Sequence, residues 1–131
     1  MRWTYLCPKC KAHLNANEHH IALVAERDDQ RGLMMFDAAP GDYRVFVPRG
    51  LEVVEGDTWR FCCPVCGESL TVEHNRSLAR ITLLDMMGEH AVFFSRIAGE
   101  RATFVAKADG AIDSYGDHKT LYEKLLWFKL F

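Results

Sequence analysis

Two short cysteine pairs constrain this chain more than any other feature. Cys7-Pro8-Lys9-Cys10 lies near the start, and Cys63-Pro64-Val65-Cys66, followed by Gly67, lies near the middle. Two residues between cysteines let a tight turn aim both sulfurs at one ion. Two such turns face to face supply the four thiolates of a tetrahedral site. Pro8 and Pro64 pre-set φ in each turn, and Gly67 accommodates the positive φ that follows a second ligand. The first pair has Lys11 at that place and fits the pattern less well. Any fold that uses both pairs must bring residues 7–10 against 63–66 across an intervening 52 residues.

A disulfide reading competes with the metal reading, and compartment decides between them. The start, Met1-Arg2-Trp3-Thr4-Tyr5-Leu6, carries no apolar signal-peptide core. No apolar run reaches the ~18 residues of a membrane-spanning helix. A cytoplasmic location is therefore expected, where thiols stay reduced and paired C-x-x-C motifs serve metals. Cys7, Cys10, Cys63 and Cys66 are the candidate ligands. Zn2+ is the expected ion because it is the commoner structural occupant; iron is the alternative on ligand chemistry alone. Cys62 stands next to the second pair, and on a strand it would face away from Cys63, as a buried small side chain. His13 is read as a surface histidine. His19-His20 is not read as a second metal site, because adjacent strand residues face opposite ways.

The two pairs resemble the knuckles of zinc ribbons and rubredoxin-like modules, many of which read C-P-x-C with a following glycine. They also resemble small bacterial proteins that carry two C-P-x-C pairs. The likeness covers two short segments. It implies a structural metal site and says little about biochemical role.

Between and after the knuckles the signals are those of strands. Ile21–Ala25, Leu33–Phe36, Tyr43–Val47, Asp57–Phe61, Leu70–Val72, Ile81–Leu84, Ala91–Phe94 and Thr103–Ala106 are short, apolar and bounded by Gly, Pro or Asp. The halves also read alike. Each has C-P-x-C, a Leu four positions later (Leu14, Leu70), a Glu-His pair (Glu18-His19, Glu73-His74) and an Ile-led apolar run (Ile21, Ile81). On this reading the offset is 56 residues at the knuckles and 60 at the strands. A duplication and a convergence of two knuckle-plus-hairpin segments both fit that pattern.

The end of the chain changes character. Thr120-Leu121-Tyr122-Glu123 has capping-box spacing, and eight of the eleven residues from Leu121 to Phe131 are apolar. A C-terminal α-helix is expected here, closing the β core or docking on a partner, with Leu125, Trp127, Phe128 and Phe131 as anchors. The expected fold is thus mostly β: a zinc ribbon with inserted antiparallel strands in a domain over residues 1–112, and a helix within 113–131.

The functional expectation rests on composition, charge and motif content. Hydrophobic residues make up 49% and charged residues 26%, ordinary for a globular chain. The formal charge of −2, near −4 with four thiolates around a divalent ion, gives no bulk attraction for nucleic acid. The sequence shows no phosphate loop, nucleophile elbow or H-E-x-x-H helix. No catalytic residue is assigned and no enzyme activity is expected. A protein-interaction or adaptor module is the favoured class, binding a protein partner or a second copy through the C-terminal apolar segment. A nucleic-acid-binding zinc ribbon and a thiol-redox protein using a C-P-x-C dithiol are the alternatives.

Overall fold

The computed structural model describes residues 3–107 and 109–121. Among these residues nine strands form two antiparallel sheets. In chain order they are β1 (Thr4–Leu6), β2 (His20–Arg27), β3 (Gln30–Asp37), β4 (Val45–Phe46), β5 (Arg60–Cys62), β6 (Leu78–Asp85), β7 (Gly88–Ser95), β8 (Thr103–Ala106) and β9 (Ile112–Tyr115). One sheet runs β1-β6-β7-β8-β9 and the other β4-β3-β2-β5. Alternation along each strand decides which side chains go inside. Ile21, Leu23 and Ala25 on β2, Met34 on β3, Ile81 and Leu83 on β6, and Val92 on β7 meet in one core that joins both sheets. A second, smaller core lies on the opposite face of the larger sheet, around Leu78, Phe93 and Phe104.

The two halves are structural repeats, related at the level of single hydrogen bonds. Cys7 N donates to Ala12 O, Lys11 N to Cys7 O and Leu14 N to Tyr5 O; 56 positions on, Cys63 N donates to Glu68 O, Gly67 N to Cys63 O and Leu70 N to Phe61 O. Past the knuckles the offset is 58. His20 pairs with Asp37 through to Arg27 with Gln30, and Leu78 pairs with Ser95 through to Asp85 with Gly88. Phe36 pairs with Val45, and Phe94 with Thr103.

The repeats exchange their first strands. β1 of the first half pairs with β6 of the second, with Tyr5 opposite Leu83. β5 of the second half pairs with β2 of the first, with Phe61 opposite Ala25. Those two registers are equivalent under the same offsets. Each sheet therefore opens with a strand from the other half, which interlocks the repeats around a local two-fold.

This corrects two expectations. The 52 residues between the knuckles are not an insertion into a ribbon; they hold the hairpin of the first repeat and the strand that enters the second. The C-terminal α-helix is also overturned. Among the described residues there is no α-helix, and the described part ends on a 3-10 turn at Lys119–Leu121. His118 N and Lys119 N are drawn back to the Arg101 and Gly116 carbonyls, which tightens this end of the chain into a turn. The residues carrying the expected anchors, 122–131, lie outside the described part.

Candidate metal centre

β1 and β5 each deliver one knuckle. Strand alternation puts Tyr5 and Cys7 on one side of β1, and Phe61 and Cys63 on one side of β5, all four facing inward. Each entering strand thus carries an aromatic to the core and, two residues later, a cysteine to the site. Cys7 and Cys63 are buried, while Cys10 and Cys66, at the far side of each turn, are exposed.

The four sulfurs come together across the halves. Cys7 Sγ lies 3.8 Å from Cys66 Sγ, and Cys10 Sγ lies 3.7 Å from Cys63 Sγ. All four lie within 4.8 Å of one another. A tetrahedral site with Zn–S near ~2.3 Å has sulfur–sulfur edges of about 3.8 Å, so the spacing fits one ion of that size. These four cysteines are positioned to bind a metal. Backbone N–H groups point at the buried pair: Lys9 N and Cys10 N reach Cys7 Sγ at 3.4 and 3.5 Å, and Val65 N and Cys66 N reach Cys63 Sγ at 3.3 and 3.5 Å. Such donors favour the thiolate form a metal requires. Burial pushes the Cys63 thiol up to about 12, while the Ala12 N–H holds Cys10 below the ordinary thiol range. An ion pair between Lys9 and Glu68, at 3.6 Å, ties one knuckle to the other.

The positive φ that Gly67 supplies is met at the equivalent place by Lys11. Gly67 has φ 76° and Lys11 φ 65°. The same turn is built in both halves, with strain in the first. Lys11 Nζ is held at 2.6 Å by Glu89 at the start of β7.

Cys62 stays out of the cluster. It is buried on the other side of β5, and its thiol donates to Glu26 Oε1 at 3.2 Å. Burial, followed by the Glu26 hydrogen bond, holds that thiol above its ordinary range. His13 is exposed and not among the clustered ligand atoms. Leu125, Trp127, Phe128 and Phe131 fall outside the described residues.

A feature that the sequence reading missed is an apolar cleft of about 460 Å³ between the sheets. Its floor includes Phe36, Phe61 and Phe94, whose ring centroids are 5.4 to 6.4 Å apart. Its walls are residues 37–45 of the first repeat and 95–103 of the second, which are equivalent stretches, so the cleft straddles the local two-fold. Phe36 and Phe94, alike at an offset of 58, were the visible signal for it.

No protein-family model matches this chain, and neither the curated proteins nor the solved structures contain a significant match to it. Among the described residues no helix is long and apolar enough to cross a membrane.

Proposed function

We propose that the chain is a non-catalytic interaction module whose two repeats are stapled by one structural Zn2+. The observation that carries this reading is the four-sulfur cluster, to which each repeat gives two ligands. Four thiolates complete a tetrahedral shell and leave no position for water or substrate, which is the arrangement of structural rather than catalytic zinc. The module offers two apolar elements to a protein partner or a second copy: the cleft on the local two-fold, and the C-terminal segment with Leu125, Trp127, Phe128 and Phe131.

The alternatives have less support. Arg27, Arg44, Arg60 and Arg101 each sit within 4.0 Å of a carboxylate, which dilutes any basic face for nucleic acid. A redox role in which Cys62 works beside the C-P-x-C dithiol needs a low-pKa, accessible thiol, whereas this one is buried, and burial together with the Glu26 hydrogen bond raises it above its ordinary range.

Metal analysis and melting of three proteins test the reading. The native chain should hold about one zinc. Structural zinc supplies on the order of 10 kcal/mol, comparable to a domain's whole stability, so Cys63→Ser should lose the metal and the cooperative melt. Cys62→Ser should keep the zinc and cost at most about 1 kcal/mol, because the serine hydroxyl can still donate to Glu26. Release of zinc by Cys62→Ser, or a native-like melt of metal-free Cys63→Ser, would overturn the assignment.

A further inference from the structure

We infer that the apolar cleft on the local two-fold is the seat of the chain's own C-terminal segment, residues 122–131. This deepens the module reading by assigning where the segment rests in the free chain, so that a partner gains the cleft or the segment only by displacing one from the other; it does not depend on the metal.

The first observation is the cleft itself. It holds about 460 Å³ between two sheets whose facing side chains otherwise meet in a shared core. Phe36 and Phe94 on its floor are only half-buried, and Val45, Val47 and Val53 on its rim are exposed. Exposed apolar surface gathered in one concavity marks a place that something apolar covers.

The second observation is where the described chain ends. After β9, Gly116 lies flat against the Arg101 carbonyl and the Tyr43 hydroxyl, with no room there for a side chain. His118 then makes two bonds with one rim residue: His118 N donates to Arg101 O at 2.9 Å, and Arg101 N donates to His118 Nδ1 at 3.0 Å. Tyr43 and Arg101 both line the cleft, and Tyr115 packs on Gly41, which lines it too. The chain is therefore anchored to the mouth three residues before Leu121, the last described position.

The third observation is the composition of the segment beyond that anchor. Seven of the ten residues from 122 to 131 are apolar or aromatic. An extended stretch of that length reaches about 33 Å, ample to cross a cleft it starts beside. The segment and the cleft share one chemistry. Tethering also places the segment at an effective concentration of the order of millimolar or more, above what a free partner reaches. A partner's apolar segment would have to displace it.

A photo-crosslinking residue placed at Trp127 of the full chain tests this, because benzoylphenylalanine keeps an aromatic at that position. The expected result is an intramolecular crosslink, at monomer mass, mapped to the cleft peptides 34–47 or 92–103. Crosslinking at doubled mass would overturn the inference and assign the cleft to a second copy. Crosslinks elsewhere in the chain, or none, would overturn it outright. As an independent reading, Trp127→Asp should raise the fluorescence of an apolar dye several-fold while leaving the far-ultraviolet spectrum and zinc content unchanged. An unchanged dye signal in a folded variant counts against the seat.

Discussion

Cys62 and Cys63 are adjacent in the chain and have opposite surroundings: one side chain meets Glu26, the other meets the sulfur of Cys10. Strand alternation alone produces that difference, which is why the clustering of the four C-P-x-C cysteines and the burial of Cys62 were legible in the sequence. Pairings between distant charges were not, because they depend on which loop lies over which strand. Asp57 is an example. Its carboxylate accepts from Arg27 Nη2 at 3.1 Å and from Val54 N at 3.3 Å, tying the loop before β5 to the end of β2. The Arg27 hydrogen bond, aided by the Val54 N–H, holds the Asp57 carboxyl below its ordinary range. The folded state then binds fewer protons than the unfolded state as pH falls below about 4. The stabilisation is complete above the unfolded value and is lost as pH falls through the lowered one. Asp57→Asn should accordingly lower the melting temperature at pH 7, and its deficit against the native chain should shrink towards pH 3. Melts of both proteins across that range decide it; a deficit that stays constant with pH would mean the charge is not what Arg27 and Val54 respond to.

The long strands β2, β3, β6 and β7 each contain a run that periodicity had already marked, and the span of β8 matches its expected run residue for residue. What periodicity could not fix was their alignment between the halves. The sequence pairs Ile21 with Ile81, whereas the ladders make Leu23 the equivalent of Ile81 and Ala79 the equivalent of Ile21. A two-residue shift keeps every side chain on its own face, so the apolar pattern is satisfied either way. Hydrogen bonds break that tie. Leu70–Val72 fell short of a strand for a related reason: it makes single bridges, such as Thr71 with Ala79, at the turn out of the knuckle. The expected start of a C-terminal helix is replaced because a capping-box spacing is a local signal: the bonds from His118 and Lys119 to Arg101 and Gly116 lead into a 3-10 turn at Lys119–Leu121, where the spacing places Thr120 as the cap. The knuckle is the element where a local signal carried furthest. Gly67 has φ 76° with open space around it, so a methyl group there meets no neighbour and the cost is purely that of the backbone. Gly67→Ala should therefore destabilise by about 1 kcal/mol. Chemical denaturation with zinc bound measures this, and an unchanged midpoint would show that the turn relaxes.

Interlocking sets the behaviour of the whole molecule. Had each repeat kept its own first strand, a half would own a complete sheet and its own core. Instead β1 lies beside β6 and β5 beside β2, so separating the halves removes an edge strand from both sheets at once. It also splits the metal site into two pairs of sulfurs, Cys7 with Cys10 and Cys63 with Cys66. Two thiolates cannot close a tetrahedral shell, so neither half alone would keep the binding energy of about 10 kcal/mol or more that a structural zinc supplies. Small β units lacking both a staple and a full core are marginal at best. The connection between the halves runs through Arg49 and Gly50, both exposed, with Gly50 in open space, so a cut there removes no buried side chain and breaks one turn bond, from Leu51 N to Pro48 O. Fragments 1–49 and 50–131, produced separately, should each be unfolded by circular dichroism and show no cooperative melt. Mixed with one equivalent of zinc they should regain the β spectrum of the native chain and melt as one unit, because every strand pairing and all four ligands are then restored. Without zinc the mixture should stay unfolded at micromolar concentration. A cooperative melt of either fragment alone would mean that the exchanged strands are dispensable. Reassembly without metal would mean that the pairing of β1 and β5, rather than the shared ion, holds the repeats together.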